Sequence, residues 1–202
     1  YFDKELDNHG GSNHSSHTDN PGDYFLDIPK FLQINSLKRL EYRDKKLHIN
    51  LTIRGVFEDR RGGTVKSANI LPYIVDIDNR IFEFTSKIGF IQPSFPGKSI
   101  ALQTSLIRHN QKAIFGKNDY KGIQESIYLN LIRQSYISTN NNILKYGMSY
   151  CADRYTQNFS QFFLNESIFS EDRVDLVTGF FTEYSLTMKE NFILVAGIRA
   201  DY

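Results

Sequence analysis

Residues Arg173–Tyr202 read RVDLVTGFFTEYSLTMKENFILVAGIRADY, and they contain two long stretches in which apolar and polar residues alternate. Alternate positions of the first stretch are mostly apolar or aromatic: Val174, Leu176, Thr178, Phe180, Thr182, Tyr184 and Leu186. The second stretch repeats this pattern from Phe192 to Tyr202. Successive side chains of a strand point to opposite faces, so a period of two predicts two β-strands. The short polar connection Met188–Asn191 makes them a hairpin.

The length of these strands leaves two fold classes open. Strands of soluble domains usually run about 5–6 residues, and these run roughly twice that length. A tilted strand that crosses a hydrocarbon core needs about 9–11 residues. The hairpin therefore fits a transmembrane β-barrel, whose apolar face contacts lipid and whose mixed face lines a lumen. It fits equally a soluble β-sandwich, whose apolar face packs on a second sheet.

Composition excludes several other classes of protein. The chain has 202 residues, and no run approaches the roughly 20 apolar residues of a membrane helix. Its net charge of +1 gives no electrostatic case for a nucleic-acid partner. The single cysteine, Cys151, excludes an internal disulfide and a multi-cysteine metal site. The chain opens on Tyr1 and stops at Tyr202 within a strand pattern, so we expect a fragment of a longer protein.

The segment 1–33 is predicted to be a loop-rich leading segment, an extracellular loop in the barrel interpretation. It is polar, small and turn-rich between Asp7 and Asp23, with no clear period. Imidazole and carboxylate are good metal ligands, but the spacing here matches no defined motif, so the histidines are weak candidates. They are His9, His14 and His17. The stretch from Asp19 to Asp27 has only a faint likeness to a calcium loop, because it contains a proline and lacks the final Glu.

Residues 34–202 are predicted to form part of one β-barrel domain, an antiparallel up-and-down meander of about eight long strands. Upstream of the hairpin the alternation predicts strands at Ile34–Arg43, Leu47–Glu58, Arg80–Ile91, Lys98–Gln111, Lys121–Ser138 and Ile143–Gln157. The predicted connections are short at 44–46, long at 59–79, short at 92–97, medium at 112–120, short at 139–142, medium at 158–172 and short at 188–191. Outer-membrane barrels alternate short periplasmic turns with longer extracellular loops, so this alternation favours the membrane barrel.

Three stretches resemble the barrel of a TonB-dependent outer-membrane receptor of the Bacteroidetes type. The first, from Ser99 to Tyr155, contains FGKNDYKGIQES and YGMSYCAD, similar to the family's Phe-Gly loop, Tyr-x-Gly-x-Gln-x-Ser strand and Gly-x-Ser strand. The second, from Val177 to Tyr202, resembles a Gly-x-Phe-x-Glu-Tyr strand followed by Ala-Gly-x-Arg-x-Asp. The third, from Asp23 to Tyr42, resembles Phe-x-Asp-x-Pro and an Asn-x-x-x-Arg-x-x-Tyr strand.

The resemblance implies that the chain is an open fragment of a roughly 22-stranded transmembrane β-barrel in the outer membrane of a Gram-negative bacterium. Such a receptor takes up a scarce ligand, for example a siderophore, another metal chelate or a corrinoid, with energy passed on by TonB. The expected partners are outer-membrane lipid, the small imported ligand, and the TonB complex acting through an N-terminal plug that would precede Tyr1. A glycan importer on the same barrel, a passive porin and a soluble β-sandwich binding module are the alternatives. No catalytic set emerges, so we expect neither an enzyme nor a cofactor.

In the barrel interpretation a set of polar side chains faces the lumen. These candidates are Gln124, Tyr128, Asn130, Lys145, Asp153, Glu183, Arg199 and Asp201. Glu183 and Arg199 lie on neighbouring strands, so we expect them to form an ion pair or to bind the plug. Gly147 and Gly179 lack side chains, which would let an aromatic ring or the plug approach closely. The aromatic residues expected to face lipid are Tyr150, Phe180, Tyr184 and Tyr202.

Overall fold

The computed structural model describes residues 29–64, 73–95, 97–137, 139–161, 166–188 and 192–202. It is an all-β structure in which a single sheet holds eight strands in the order β1 to β8, each antiparallel to its neighbours in sequence. The strands are β1 Lys30–Arg43, β2 Leu47–Gly63, β3 Ile74–Ile91, β4 Ser99–Phe115, β5 Asn118–Ile137, β6 Thr139–Gln161, β7 Glu166–Met188 and β8 Phe192–Asp201. The predicted all-β, up-and-down meander is therefore confirmed.

The strands are longer than their alternation predicted, and the connections are correspondingly shorter. The predicted loop 112–120 is wrong, because only Gly116 and Lys117 separate β4 from β5. Gly116 has a φ of 60°, a left-handed conformation that favours glycine in a tight turn. The predicted connections 59–79, 139–142 and 158–172 also shrink to 64–73, 138 and 162–165. β1 begins at Lys30, four residues before the predicted Ile34.

The alternation of short and long connections is consequently not a property of the structure. The near end of the sheet carries the connections 44–46, 92–98, 138 and 189–191, and the far end carries 64–73, 116–117 and 162–165. The additional residues assigned to far-end loops extend β2 through β7 instead. Loop length therefore does not distinguish a barrel from a sandwich here, whereas the two faces of the sheet differ in their chemistry.

The pairing register sorts the side chains into an apolar face and a polar face. Paired residues form rows across the sheet, and one row of the apolar face is apolar from β1 to β8: Tyr42, Ile49, Ile88, Leu102, Leu131, Met148, Phe180 and Ala200. The next row on the polar face holds Glu41, Asn50, Lys87, Gln103, Asn130, Ser149, Gly179 and Asp201. All four aromatic residues predicted to face lipid, Tyr150, Phe180, Tyr184 and Tyr202, lie on the apolar face.

The apolar face is the more exposed of the two. On β5, Ile127, Leu129 and Leu131 are exposed, whereas Tyr128 and Asn130 between them are half-buried. A sheet that curves toward its polar face produces this difference, because side chains crowd on the concave side. The only buried hydrophobic side chains among the described residues are Val56 and Ala113, at 9% and 1% exposure. The described strands thus form a single layer without a core of their own, and apolar burial would require a cover over the apolar face.

Toward the far end the apolar face becomes charged. Its ion pairs there are Arg80–Asp78 at 2.8 Å, Arg108–Glu125 at 3.6 Å, Lys121–Asp119 at 3.2 Å and Arg154–Asp172 at 3.0 Å. The strands continue beyond this boundary, where the polar face in turn becomes more apolar and holds Ile77, Ala113 and Phe159. No helix long and apolar enough to cross a membrane occurs in the described part of the chain.

Candidate functional site

The register brings all eight sequence-predicted polar residues to the polar face. Gln124, Tyr128 and Asn130 come from β5, Lys145 and Asp153 from β6, Glu183 from β7, and Arg199 and Asp201 from β8. Because β5 to β8 are consecutive neighbours, the candidates form one continuous surface. They divide into an ion-paired zone toward the near end and a smaller amide-rich zone toward the far end.

Glu183 forms an ion pair with a partner that the sequence did not predict. Lys145 Nζ lies 2.8 Å from Glu183 Oε1, and the two residues are paired in the register of β6 and β7. The expected pairing with Arg199 is wrong, because Glu183 is opposite Gly197, whereas Arg199 is opposite Phe181. Directly opposed side chains are closer than diagonal ones, so the carboxylate of Glu183 pairs with Lys145 rather than with Arg199.

Arg199 on β8 contacts Asp201 on its own strand and Ser149 on β6, two strands away. Its Nε donates to both carboxylate oxygens of Asp201 at 2.9 Å, and its guanidinium also donates to Ser149 Oγ at 2.9 Å. The side chain reaches β6 by passing over Gly179 on β7, where a Cβ would meet the side chains of Asp201, Arg199 and Ser149. Ser149 is only 3% exposed as a result. A group does approach Gly179 closely, but it is an ion pair and not the predicted aromatic ring or plug.

The neighbouring glycine accommodates an aromatic ring. A Cβ on Gly147 would meet the ring of Phe181, which is opposite it in the register of β6 and β7. In the next row Asn130 donates to Gln103 Oε1 at 3.2 Å. The Oδ1 atom of Asn130 is buried and has no hydrogen-bond partner among the described residues.

Acidic side chains meet in the middle of the polar face. Asp153 and Asp175 are directly opposed on β6 and β7, an arrangement that like charges disfavour. Asp175 is compensated by Arg173 at 3.0 Å, and Cys151 donates to Asp153 at 3.4 Å. Cys151 is the one cysteine of the chain and is half-buried on this face. Arg173 and Cys151 thus compensate part of the negative charge of this cluster.

At the far end the polar face carries a groove, which we call the amide groove. Its lining residues are His109, Gln111, Tyr120, Gly122, Ile123, Gln124, Tyr155 and Gln157, and its open volume is about 230 Å³. Internal hydrogen bonds fix one side of it: His109 Nε2 lies 2.8 Å from Asn79 Oδ1, and Gln124 donates to the hydroxyl of Tyr155 at 3.2 Å.

The floor of the amide groove is a glycine between two glutamines. Gln111 on β4 and Gln157 on β6 are both paired with Gly122 on β5, which is buried beneath the Tyr120 side chain. Neither glutamine side chain has a hydrogen-bond partner within the described part of the chain. The next row toward the far end contains Tyr120 and Phe159.

The sequence also contains three histidines that are weak candidates for metal ligands. His9, His14 and His17 lie outside the described residues. Within those residues no group of three or more His, Cys, Asp or Glu side chains is arranged to hold a metal ion.

No protein-family model matches the chain, and the comparisons with curated proteins and with solved structures gave no significant match. The likeness to TonB-dependent receptors therefore depends on the quoted motifs alone, and the function that it implies is a proposal.

Proposed function

We propose that this chain forms part of the wall of an outer-membrane β-barrel that imports a scarce small ligand in a TonB-dependent manner. The observation that carries the proposal is the exposed apolar face of a single-layer sheet with very long strands. In this proposal lipid covers the apolar face, and the polar face lines a water-accessible lumen.

The height of the apolar band agrees with this proposal. On β5 the apolar face is interrupted by charge at Glu125 and Arg133. At about 3.4 Å per residue the stretch between them measures about 27 Å along the strand. A tilt of about 40° reduces this to about 21 Å, close to the band of about 25 Å on outer-membrane barrels.

The chemistry of the polar face fits a water-accessible lumen. Lys145 and Glu183 form one ion pair on this face, and Arg199 and Asp201 form another. These side chains are about 40–50% exposed, as Lys145 and Glu183 illustrate at 40% and 39%. In a lumen they remain hydrated, and they could also contact a plug or a passing ligand.

The test of the proposal is energised uptake by cells that produce the full-length protein. Uptake of radiolabelled ferric chelates, cobalamin and neutral oligosaccharides is compared between producing cells and a deletion strain, with and without a protonophore. We expect one ligand class to accumulate only in energised producing cells. Uptake that persists after the protonophore would indicate a passive channel, and recovery of the protein in the soluble fraction would contradict membrane insertion altogether.

A further inference from the structure

We infer that the near end of the apolar face holds a binding site for the phosphate group of a phospholipid. The site is a pocket, which we call the rim pocket, where the connection 92–98 meets β3, β4 and β5. Its lining includes Phe90, Lys98, Ser99, Ile100, Arg133 and Ser135. The inference rests on the proposed function, because only a membrane-embedded sheet would meet such a lipid there.

The first argument is the position of Arg133. Its row across the sheet is otherwise uncharged and holds Leu47, Phe90, Ile100, Arg133, Tyr146, Thr182 and Ile198. On the apolar face of β2 to β8, between the near-end connections and the charged boundary toward the far end, Arg133 is the one charged residue. A charge at the edge of a hydrocarbon layer is costly unless water or an anion compensates it.

The second argument is the lack of an acidic partner. Lys98 and Arg133 both line the rim pocket, and none of its lining residues is Asp or Glu. Within the described part of the chain neither cation forms an ion pair, and Lys98 Nζ lies over the Phe95 ring, 4.6 Å from its centroid. Four cations at the far end of the same face each have a carboxylate within 3.6 Å: Arg80, Arg108, Lys121 and Arg154. The rim pocket therefore offers two cations to an anion from outside the chain.

The third argument is that the two cations are held beside one another. The Gln134 side chain on β5 donates to the carbonyl of Gly97 at 3.2 Å. The ring of Tyr136, also on β5, occupies the space that a Cβ on Gly97 would need. These contacts fix the connection that carries Lys98 to the strand that carries Arg133. A preorganised pair of cations loses less conformational entropy when both bind one phosphate.

The fourth argument distinguishes a lipid from a free phosphate ion. Phe90 and Ile100 line the same pocket, are paired in the register of β3 and β4, and are 46% and 43% exposed. The next row away from the rim on this face contains Ile88 and Leu102. Arginine binds phosphate oxygens bidentately and lysine binds them as a point charge, whereas acyl chains favour the apolar residues. Cations beside a continuous apolar surface match a phospholipid, because a free ion would gain nothing from that surface.

The experiment measures lipid binding to the full-length protein in detergent by native mass spectrometry. The probe is dioleoylphosphatidylglycerol. It is compared with dioleoylglycerol, which has the same chains but no phosphate, and with inorganic phosphate, which has no chains. The variants are Arg133→Gln and Lys98→Gln. The matched control is Arg108→Gln, which removes an exposed arginine of the same face that is paired with Glu125. Folding of every variant is checked by gel mobility with and without boiling.

We expect phosphatidylglycerol to bind, and each variant to weaken its binding about fivefold, with the control unchanged. Dioleoylglycerol and inorganic phosphate should bind far more weakly. No binding of phosphatidylglycerol, equal binding by native protein and both variants, or equally tight binding of dioleoylglycerol would overturn the phosphate site. Tight binding of inorganic phosphate that both variants weaken would assign the pocket to a soluble anion and overturn the lipid.

Failure of the proposed function has a separate readout. Native protein that does not insert into phospholipid vesicles would contradict the membrane barrel itself. Native protein that inserts, but binds phosphatidylglycerol no better than its Arg133→Gln and Lys98→Gln variants do, would overturn the rim pocket alone.

Discussion

Replacement of Leu129 by Arg is the perturbation that most sharply separates a lipid-covered apolar face from a water-exposed one. Leu129 lies midway between the charged boundaries at Glu125 and Arg133, is paired with Thr104 and Tyr150, and is 38% exposed. An arginine near the middle of the bilayer costs about 2–4 kcal/mol in an outer-membrane barrel. On a water-exposed face the same substitution would change stability by no more than about 0.5 kcal/mol.

Ile123→Arg is the matched control for this substitution. Ile123 is on the same strand and the same face, and its exposure of 41% is nearly equal. It lies about 20 Å farther along the strand, between Asn110 and Thr156 and beyond the charged boundary at Glu125. Close to an interface an arginine costs only about 0–1 kcal/mol.

The assay is guanidinium unfolding of the full-length protein in phospholipid vesicles, with the folded fraction read from gel mobility with and without boiling. The expected difference between Leu129→Arg and Ile123→Arg is about 2–3 kcal/mol, or about 30- to 150-fold in the folding equilibrium. Equal costs for the two variants, or a greater cost at Ile123, would refute the assignment of the apolar face to lipid.

Two further predictions concern the polar face. A double-mutant cycle on Lys145→Met and Glu183→Gln should give a coupling free energy of about 0.2–1 kcal/mol, because the two charged groups are 2.8 Å apart but half-exposed. A second cycle on Glu183→Gln and Arg199→Met should show additive effects, because Arg199 is paired with Asp201 instead. The opposite pattern would show that the register of β7 and β8 is wrong. Gly179→Ala should destabilise the protein by about 1–3 kcal/mol, since a Cβ would meet Arg199 at 2.7 Å and Ser149 Oγ at 2.8 Å. Gly55→Ala, which meets nothing within 4 Å, should be neutral or slightly stabilising in the same unfolding measurement, and equal effects at both glycines would contradict the packing described.

The face assignment was predictable from the sequence because it depends only on the period of two. Between Gln124 and Asp201, every residue that was assigned to the apolar or the polar face lies on that same face in the structure. A shift of one residue within a strand would have exchanged the two faces of that strand. The partner of Glu183 was not predictable in the same way. It depends on which residue is directly opposite, and that requires the register between strands rather than the pattern within one.

The strand ends were missed for a different physical reason. Near Lys112 and Asn158 the apolar face of the strands becomes polar, so the alternation of hydropathy is lost although the backbone ladder continues. A loop and such a strand end look alike in the sequence. The amide groove was missed for the same reason as the partner of Glu183: Gln111, Gly122 and Gln157 lie within the predicted strands, but only the register between β4, β5 and β6 brings them into one row. The Gly-Lys pair at 116–117 was the available signal for a tight turn.

The central claim, that one face of this sheet contacts lipid and the other does not, is tested most directly by a nitroxide scan along β5. Single cysteines are introduced at each position from Ile127 to Asn130 in the full-length protein, after Cys151→Ser removes the one native cysteine of the chain. In vesicles the labels at Ile127 and Leu129 should be accessible to oxygen and shielded from a polar nickel chelate, and those at Tyr128 and Asn130 should show lower oxygen accessibility. Accessibility without a period of two, or equal nickel accessibility at all four positions, would contradict the claim.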